Sequence, residues 1–426
     1  MSTESLLERR YRVLGRSSPL FYERPLHIVR GEGVWLWDAD GKRYLDAYNN
    51  VPHVGHGHPH VVEAICRQAA LLNTHTRYLH EGIVSYAERL TATFDPALSM
   101  LMLTCTGSEA NELALRIAKV MTGGEGVICT NCAYHGNTRE VSQISTWFTP
   151  PEGRAPWIRA VDPPDSYRGI RGLAGPALED AYVAEIESAI ASLEQSGRRL
   201  AAMLICTMYS SEGLPDVPPG FVRRAVERVR RAGGLFIADE VQGGFGRTGH
   251  FMWGHERFGV VPDLVTLGKP MGNGHPIAGV VGRADLVQSF GEKVMYFNTF
   301  GGNPVSCAAA HAVLDVIERE NLRDHAIRVG EYMIAGLRRL AGRHSIIGDV
   351  RGLGMFFAVD LVRDRASRSP ATSEAKRVIN TMRDHGVLIS RIGPADNILK
   401  IRPPMPFTTE HADLLVGTLD DALSAL

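Results

Sequence analysis

The stretch 234–274 constrains this chain more than any other. It reads Gly-Leu-Phe-Ile-Ala-Asp-Glu-Val-Gln-Gly-Gly-Phe-Gly-Arg-Thr-Gly, passes through a polar and aromatic segment, and resumes as Pro-Asp-Leu-Val-Thr-Leu-Gly-Lys-Pro-Met-Gly-Asn-Gly. Residues 235–238 and 264–267 are apolar runs of the length expected for buried parallel strands. Each stops at a charge, Asp239 after the first run and Lys269 just after the second. A carboxylate and an amine are thereby delivered to one edge of a sheet, outside the carboxyl ends of the strands, where open α/β sheets bind ligands.

An acid and a lysine at such an edge are the pair that pyridoxal 5'-phosphate (PLP) chemistry requires. The lysine holds the cofactor as a Schiff base, and the acid keeps the pyridine nitrogen protonated so that the ring accepts electrons. With Asp-Glu-Val-Gln at 239–242 and Gly-Lys at 268–269, the stretch resembles the cofactor core of class III aminotransferases, PLP enzymes of fold type I. The resemblance implies an α/β fold: a large domain with a mostly parallel, seven-stranded-type sheet flanked by helices, and a small α+β domain built from both termini. It also implies Lys269 as the Schiff-base lysine, Asp239 as the partner that raises the ring nitrogen's pKa, and Gln242 as a hydrogen-bond partner of the ring hydroxyl.

Three further stretches bear on the same site. Thr106 and Glu109 form a capping box, and Leu113, Ile117, Val120 and Met121 continue one apolar helical face, so a helix starts here with free backbone N–H groups at Gly107 and Ser108. Such a start is either an ordinary capped helix or a phosphate site. Its Thr-Gly-Ser-Glu-Ala-Asn sequence is similar to the family's phosphate cup. After an expected strand at 126–130 comes Tyr134-His135-Gly136; alone, Tyr134 reads as core, but the resemblance implies that its ring stacks on the pyridine face and that His135 belongs to the cofactor site. Thr299, in Phe-Asn-Thr-Phe-Gly-Gly-Asn-Pro, precedes a long helix starting near Val305. By the same resemblance it crosses a subunit interface to the neighbour's cofactor phosphate, which implies a homodimer with shared active sites and leaves a tetramer open.

The organisation of the chain follows hydrophobic patterning. Two alternating strands around Asp-x-Asp-Gly in 33–46 read as a β-hairpin, within an amino-terminal segment 1–55 assigned to the small domain. Residues 56–320 form the expected large domain. From 321 to 426 short strands at 345–350, 355–362, 387–390 and 398–402 alternate with helices, a pattern expected of the carboxy-terminal α+β part. The helix expected at 221–232 buries Phe221, Val222, Ala225, Val226 and Val229 and turns its arginines outward.

Other chemistries find less support. His53, His56, His58 and His60 crowd into eight residues, yet a loop broken by Gly and Pro does not fix metal ligands, so no metal is expected. Gly244-Phe-Gly-Arg-Thr-Gly249 matches a dinucleotide fingerprint in form, but no helix with an apolar face follows. Lys and Arg number 46 against 47 Asp and Glu, for a net charge of −1, which offers nothing to nucleic acid or to an anionic membrane. No apolar run approaches the ~20 residues needed to cross a bilayer. The opening residues lack a signal-peptide layout, and a cytoplasmic enzyme is expected.

Substrate preference rests on fewer residues. Arg402, in Lys-Ile-Arg-Pro-Pro, matches the family's arginine for a substrate carboxylate, while the glutamate that parks this arginine in dual-substrate aminotransferases is replaced by Cys206; Glu212 lies several residues later. Without such a partner Arg402 is a standing anion site. The segments containing Asn50, Arg77, Lys269 and Thr299 are similar to the phospho-lyase branch of the family, which acts on phosphoethanolamine-like amines. Asn50 is a substrate-side candidate, and Arg77 is either a second positive charge for a phosphate or a surface or interface salt bridge. The resemblance thus implies transfer of an amino group from a primary amine or amino acid to a keto acid, with phosphate elimination as the alternative.

Overall fold

The computed structural model describes residues 3–170 and 172–426. Seven strands form the sheet that carries the site, in the order Met100–Thr104, Ala278–Gly282, Leu264–Leu267, Leu235–Asp239, Leu200–Cys206, Gly126–Thr130, Ile158–Val161. Ala278–Gly282 runs antiparallel to both of its neighbours, and the remaining pairs are parallel. The expected α/β architecture of PLP fold type I is present.

The sheet is largely buried on both faces because its strands are mostly apolar, and alternation sends successive residues to opposite sides. Ala202 and Leu204 pack with Leu113 and Ile117 of the helix Gly107–Thr122, whereas Met203 and Ile205 join Phe221, Val222 and Ile186 of the helices Phe221–Arg231 and Gly175–Gln195 on the other side. The arginines of Phe221–Arg231 lie on its outer side, where Arg224 pairs with Glu179 and Asp180 and Arg228 with Glu187.

Three strands of this sheet, Met100–Thr104, Ile158–Val161 and Ala278–Gly282, were not expected from the sequence. Ala278–Gly282 needs its glycines for contact. A Cβ on Gly279 would sit 2.9 Å from the Met102 carbonyl oxygen, and one on Gly282 would sit 2.6 Å from Leu264. Close packing therefore selects residues of low strand propensity.

Both ends of the chain meet beside this sheet. The hairpin strands Trp35–Asp38 and Arg43–Asp46 are extended on one side by Ile28–Glu32 and on the other by Val387–Leu388, which runs parallel to Arg43–Asp46. A second sheet has the order Ile347–Leu353, Phe356–Asp364, Ile398–Ile401, Ser390–Ile392. The run expected as one strand at 387–390 is therefore split at Ile389, its two halves serving different sheets. Among the described residues no helix is long and apolar enough to cross a membrane.

Candidate active site

Asp239 ends its strand directly beside Thr266 of the next one, and Lys269 opens a 3₁₀ turn, Lys269–Gly272, three residues further on. Strand register alone thus brings acid and amine to one edge. Asp239 is buried and held from three directions: its Oδ2 lies 2.7 Å from His135 Nδ1 and accepts from Asn111 Nδ2 at 3.1 Å, and its Oδ1 accepts from the Val241 N–H at 3.0 Å. Asn111 in turn donates to the His135 carbonyl at 2.7 Å and accepts from Thr266 Oγ1 at 2.7 Å. Burial, and then the charge of Arg402, push the Lys269 ammonium below the usual lysine range, with Asp239 opposing them. The Lys269 side chain is half-buried, enclosed by protein at its amine end.

The helix Gly107–Thr122 starts with a complete capping box: Thr106 Oγ1 accepts from the Glu109 N–H at 3.2 Å and Glu109 Oε2 from the Thr106 N–H at 2.9 Å. The N–H groups of Gly107 and Ser108 belong to the first turn and have no carbonyl within the helix to bond. Two glycines bring other backbone against this start. A Cβ on Gly136, at φ +142°, would lie 2.5 Å from Ser108 Oγ, and one on Gly268 would lie 3.4 Å from the backbone nitrogen of Gly107. Half-buried Tyr134 adjoins His135, with its ring edge-on to Phe148. A helix start with open donors, a buried carboxylate and a lysine between them fit a phosphorylated pyridine aldehyde.

At the other side of Lys269 lie two buried cations. Arg402 donates from Nε to the Tyr48 carbonyl at 3.1 Å and from Nη1 to Gln242 Oε1, with its guanidinium 5.2 Å from the Tyr48 ring and 5.6 Å from that of Phe356. Lys400 donates to the Ser210 carbonyl at 2.8 Å and to the same Gln242 oxygen at 3.3 Å. Cys206 lies beside Asp239 in the strand register; its Sγ is 3.3 Å from Ser210 Oγ, and burial pushes the thiol up to about 12. Glu212 does not pair with Arg402. Its carboxylate takes Thr130 Oγ1 at 2.7 Å and the Ser211 N–H at 3.0 Å, and burial raises its pKa.

Of the substrate-side candidates, Asn50 is fully buried and neither amide atom has a hydrogen-bond partner among the described residues. Arg77 and Thr299 lie apart from these groups, on an exposed face where the Arg77 guanidinium covers the Phe297 ring at 4.0 Å. The four clustered histidines go to separate partners: His53 to the Phe245 carbonyl, His56 to Asp46, His58 to Glu320 and His60 to Asp315. Sequence reasoning assigned no role to Asn111 or Lys400. For Lys400 the signal was available, since alternation puts Lys400 and Arg402 on the same side of one strand.

A family model, "Aminotransferase class-III", matches residues 21–423. The chain belongs to the class-III aminotransferase family. Members of this family are PLP-dependent enzymes, in keeping with the donor set around Lys269. Curated relatives that cover the whole chain include two with differently named activities. One is the Drosophila melanogaster "Alanine--glyoxylate aminotransferase 2-like", 41% identical across 100% of this chain and 88% of its own. The other is the Caenorhabditis elegans "Ethanolamine-phosphate phospho-lyase homolog 1", 36% identical across 100% of this chain and 94% of its own. Among solved structures, a phospholyase from Arthrobacter in complex with phosphoethanolamine is 50% identical, with a TM-score of 0.96 over 99% of this chain and 100% of that one. This class-III aminotransferase-family chain is thus similar to proteins of both chemistries.

Proposed function

We propose that this enzyme is a phospho-lyase, eliminating phosphate from a small primary amine that carries the phosphate on the carbon next to its amine-bearing carbon. The observation that carries this reading is Arg402: a buried guanidinium hydrogen-bonded to the Tyr48 carbonyl and to the neutral Gln242 amide, with Cys206 where a parking glutamate would stand. A charge left in that state favours a substrate that always brings an anion. The 50% identity to a phospholyase holding phosphoethanolamine supports the same substrate class.

The residues divide the work. Gly107 and Ser108 would offer N–H groups to the cofactor phosphate, Tyr134 would hold the ring, and Asp239, oriented by His135 and Asn111, would partner the ring nitrogen. Gln242 would offer its amide N–H to the ring oxygen, its own oxygen being taken by Lys400 and Arg402. PLP, when bound, supplies an electron sink for the pair left by deprotonation of the substrate's amine-bearing carbon. Lys269 Nζ takes that proton, and its lowered pKa keeps it available as a base. Arg402 and Asn50 hold the phosphate end, so that the departing oxygen leaves with the electrons of its carbon–oxygen bond.

Thr299 would reach a partner subunit's cofactor, and Arg77 its substrate, in a homodimer. Support comes from the exposed apolar side chains around them: Met295 at 85%, Phe300 at 69%, Tyr78 at 67% and Leu79 at 101% relative exposure. Six unpaired cysteines fit a reducing compartment such as the cytoplasm.

Amino transfer is the second reading, favoured by the 41% identical relative named as an aminotransferase. The purified enzyme incubated with phosphoethanolamine decides between them. Release of inorganic phosphate without a keto acid supports elimination, whereas pyruvate-dependent alanine formation with no phosphate released overturns it.

A further inference from the structure

The strand Ile398–Ile401 and the residue after it alternate between two environments. Leu399 and Ile401 enter the main apolar core, while Lys400 and Arg402 point the other way and are only 5% and 4% exposed. Neither makes an ion pair with a carboxylate among the described residues. The acids nearest in charge are engaged elsewhere: Asp46 with His56, Glu212 with Thr130 and the Ser211 N–H, Asp239 with His135 and Asn111. Two buried charges instead converge on one neutral atom, Gln242 Oε1.

An ammonium has three hydrogens to donate and a guanidinium five. Lys400 uses one on the Ser210 carbonyl and one on Gln242; Arg402 uses one on the Tyr48 carbonyl and one on Gln242. The Tyr48 side chain also interacts with the guanidinium, which leaves one donor on Lys400 and two on Arg402 beyond these bonds. A buried, uncompensated cation is costly, and two of them side by side are more so. A methionine at 400 would fill similar volume without that cost, so packing does not explain the lysine.

We propose that Lys400 and Arg402 form a two-charge cradle for a dianion, and that Lys400 makes this end of the site prefer a phosphate to a carboxylate. Arg402 alone matches a carboxylate, two oxygens against a planar fork. Lys400 adds the second positive charge and a donor on a separate side chain, which suits the several oxygens of a phosphate. The identity of the dianion as the substrate's phosphate rests on the phospho-lyase reading; the cradle itself does not.

The test is equilibrium binding of inorganic phosphate and of acetate to the PLP-loaded enzyme by titration calorimetry, in wild type and Lys400→Met. Phosphate affinity should fall more than about tenfold in the variant, acetate affinity should stay within about twofold, and the melting temperature should hold or rise. Equal losses for both anions, no loss for either, a variant that does not fold, or a wild type without saturable phosphate binding would each overturn the proposal. Phosphate release from phosphoethanolamine is scored separately. If the wild type releases none while the phosphate-selective loss is seen, the substrate reading falls and the cradle stands; if release is seen without that loss, the reverse holds.

Discussion

Nδ1 of His135 lies 2.7 Å from Oδ2 of Asp239, and both residues are buried. The same oxygen takes the amide of Asn111, which also bonds the His135 carbonyl and Thr266 Oγ1. Asp239 therefore cannot rotate without breaking contacts to two helix or loop residues, and Thr266 ties this set to the neighbouring strand. The acid is held in place before any ligand arrives.

Asn111→Ala tests that arrangement. It strips partners from the His135 carbonyl, from Thr266 Oγ1 and from one side of Asp239, at about 1–3 kcal/mol for a buried polar group left unpaired. A melting temperature several degrees lower and weaker retention of the cofactor on dialysis are expected. An unchanged melt would show that the network does not hold the acid.

Cys206→Glu should restore a carboxylate next to Asp239 and in reach of the fields of Lys400 and Arg402. The new anion competes with a bound phosphate, so kcat/KM for phosphoethanolamine should drop at least about tenfold, equal to ~1.4 kcal/mol. Steady-state phosphate release measures it, and an unchanged kcat/KM would mean that the cysteine is not what leaves Arg402 open.

Lys400 also predicts a pH dependence. Burial, and then the charge of Arg402, push its ammonium well below the lysine range, with Lys269 adding to the effect and Cys206 and Glu212 opposing it. In the unfolded chain the same group titrates near ~10.4. Between the two values the unfolded state binds the extra proton, so stability declines as pH falls from about 10 through the folded-state pKa and then levels off. Lys400→Met removes that slope. Its advantage in melting temperature over wild type should grow as pH falls below about 10, and a constant difference would contradict the shift.

Phe300→Asp puts a charge at the centre of the exposed apolar face beside Thr299. A homodimer built on that face should fall to monomers in sedimentation velocity and lose activity together with assembly. Retention of a dimer would move the interface elsewhere.

How much of this was legible in the sequence depended on where each residue's partners lie. The strands Leu235–Asp239, Leu264–Leu267, Leu200–Cys206 and Gly126–Thr130 could be read because each is a mostly apolar run. Ala278–Gly282 could not, since its glycines answer to neighbouring strands rather than to its own propensity. Lys269 and Asp239 stood out because charge follows directly on an apolar run. Asn111 sits in a well-capped helix and looks ordinary; its role comes from Asp239, 128 residues away. Lys400 was overshadowed by Arg402, although the two-residue alternation of a strand places both on one side.

The bond from Arg402 Nε to the Tyr48 carbonyl joins residues 354 positions apart, and the Arg402 N–H is fixed to the Ala47 carbonyl at 2.7 Å. On the ribosome these partners are made at opposite ends of synthesis. Elements from Thr106 to Lys269 have emerged long before Val387–Leu388 can close against Arg43–Asp46, and contacts of such sequence separation form late. The candidate site is therefore completed at the Arg402 end last: a growing chain acquires Lys269 and the buried acid first, and the proposed substrate-discriminating end only when its final stretch docks.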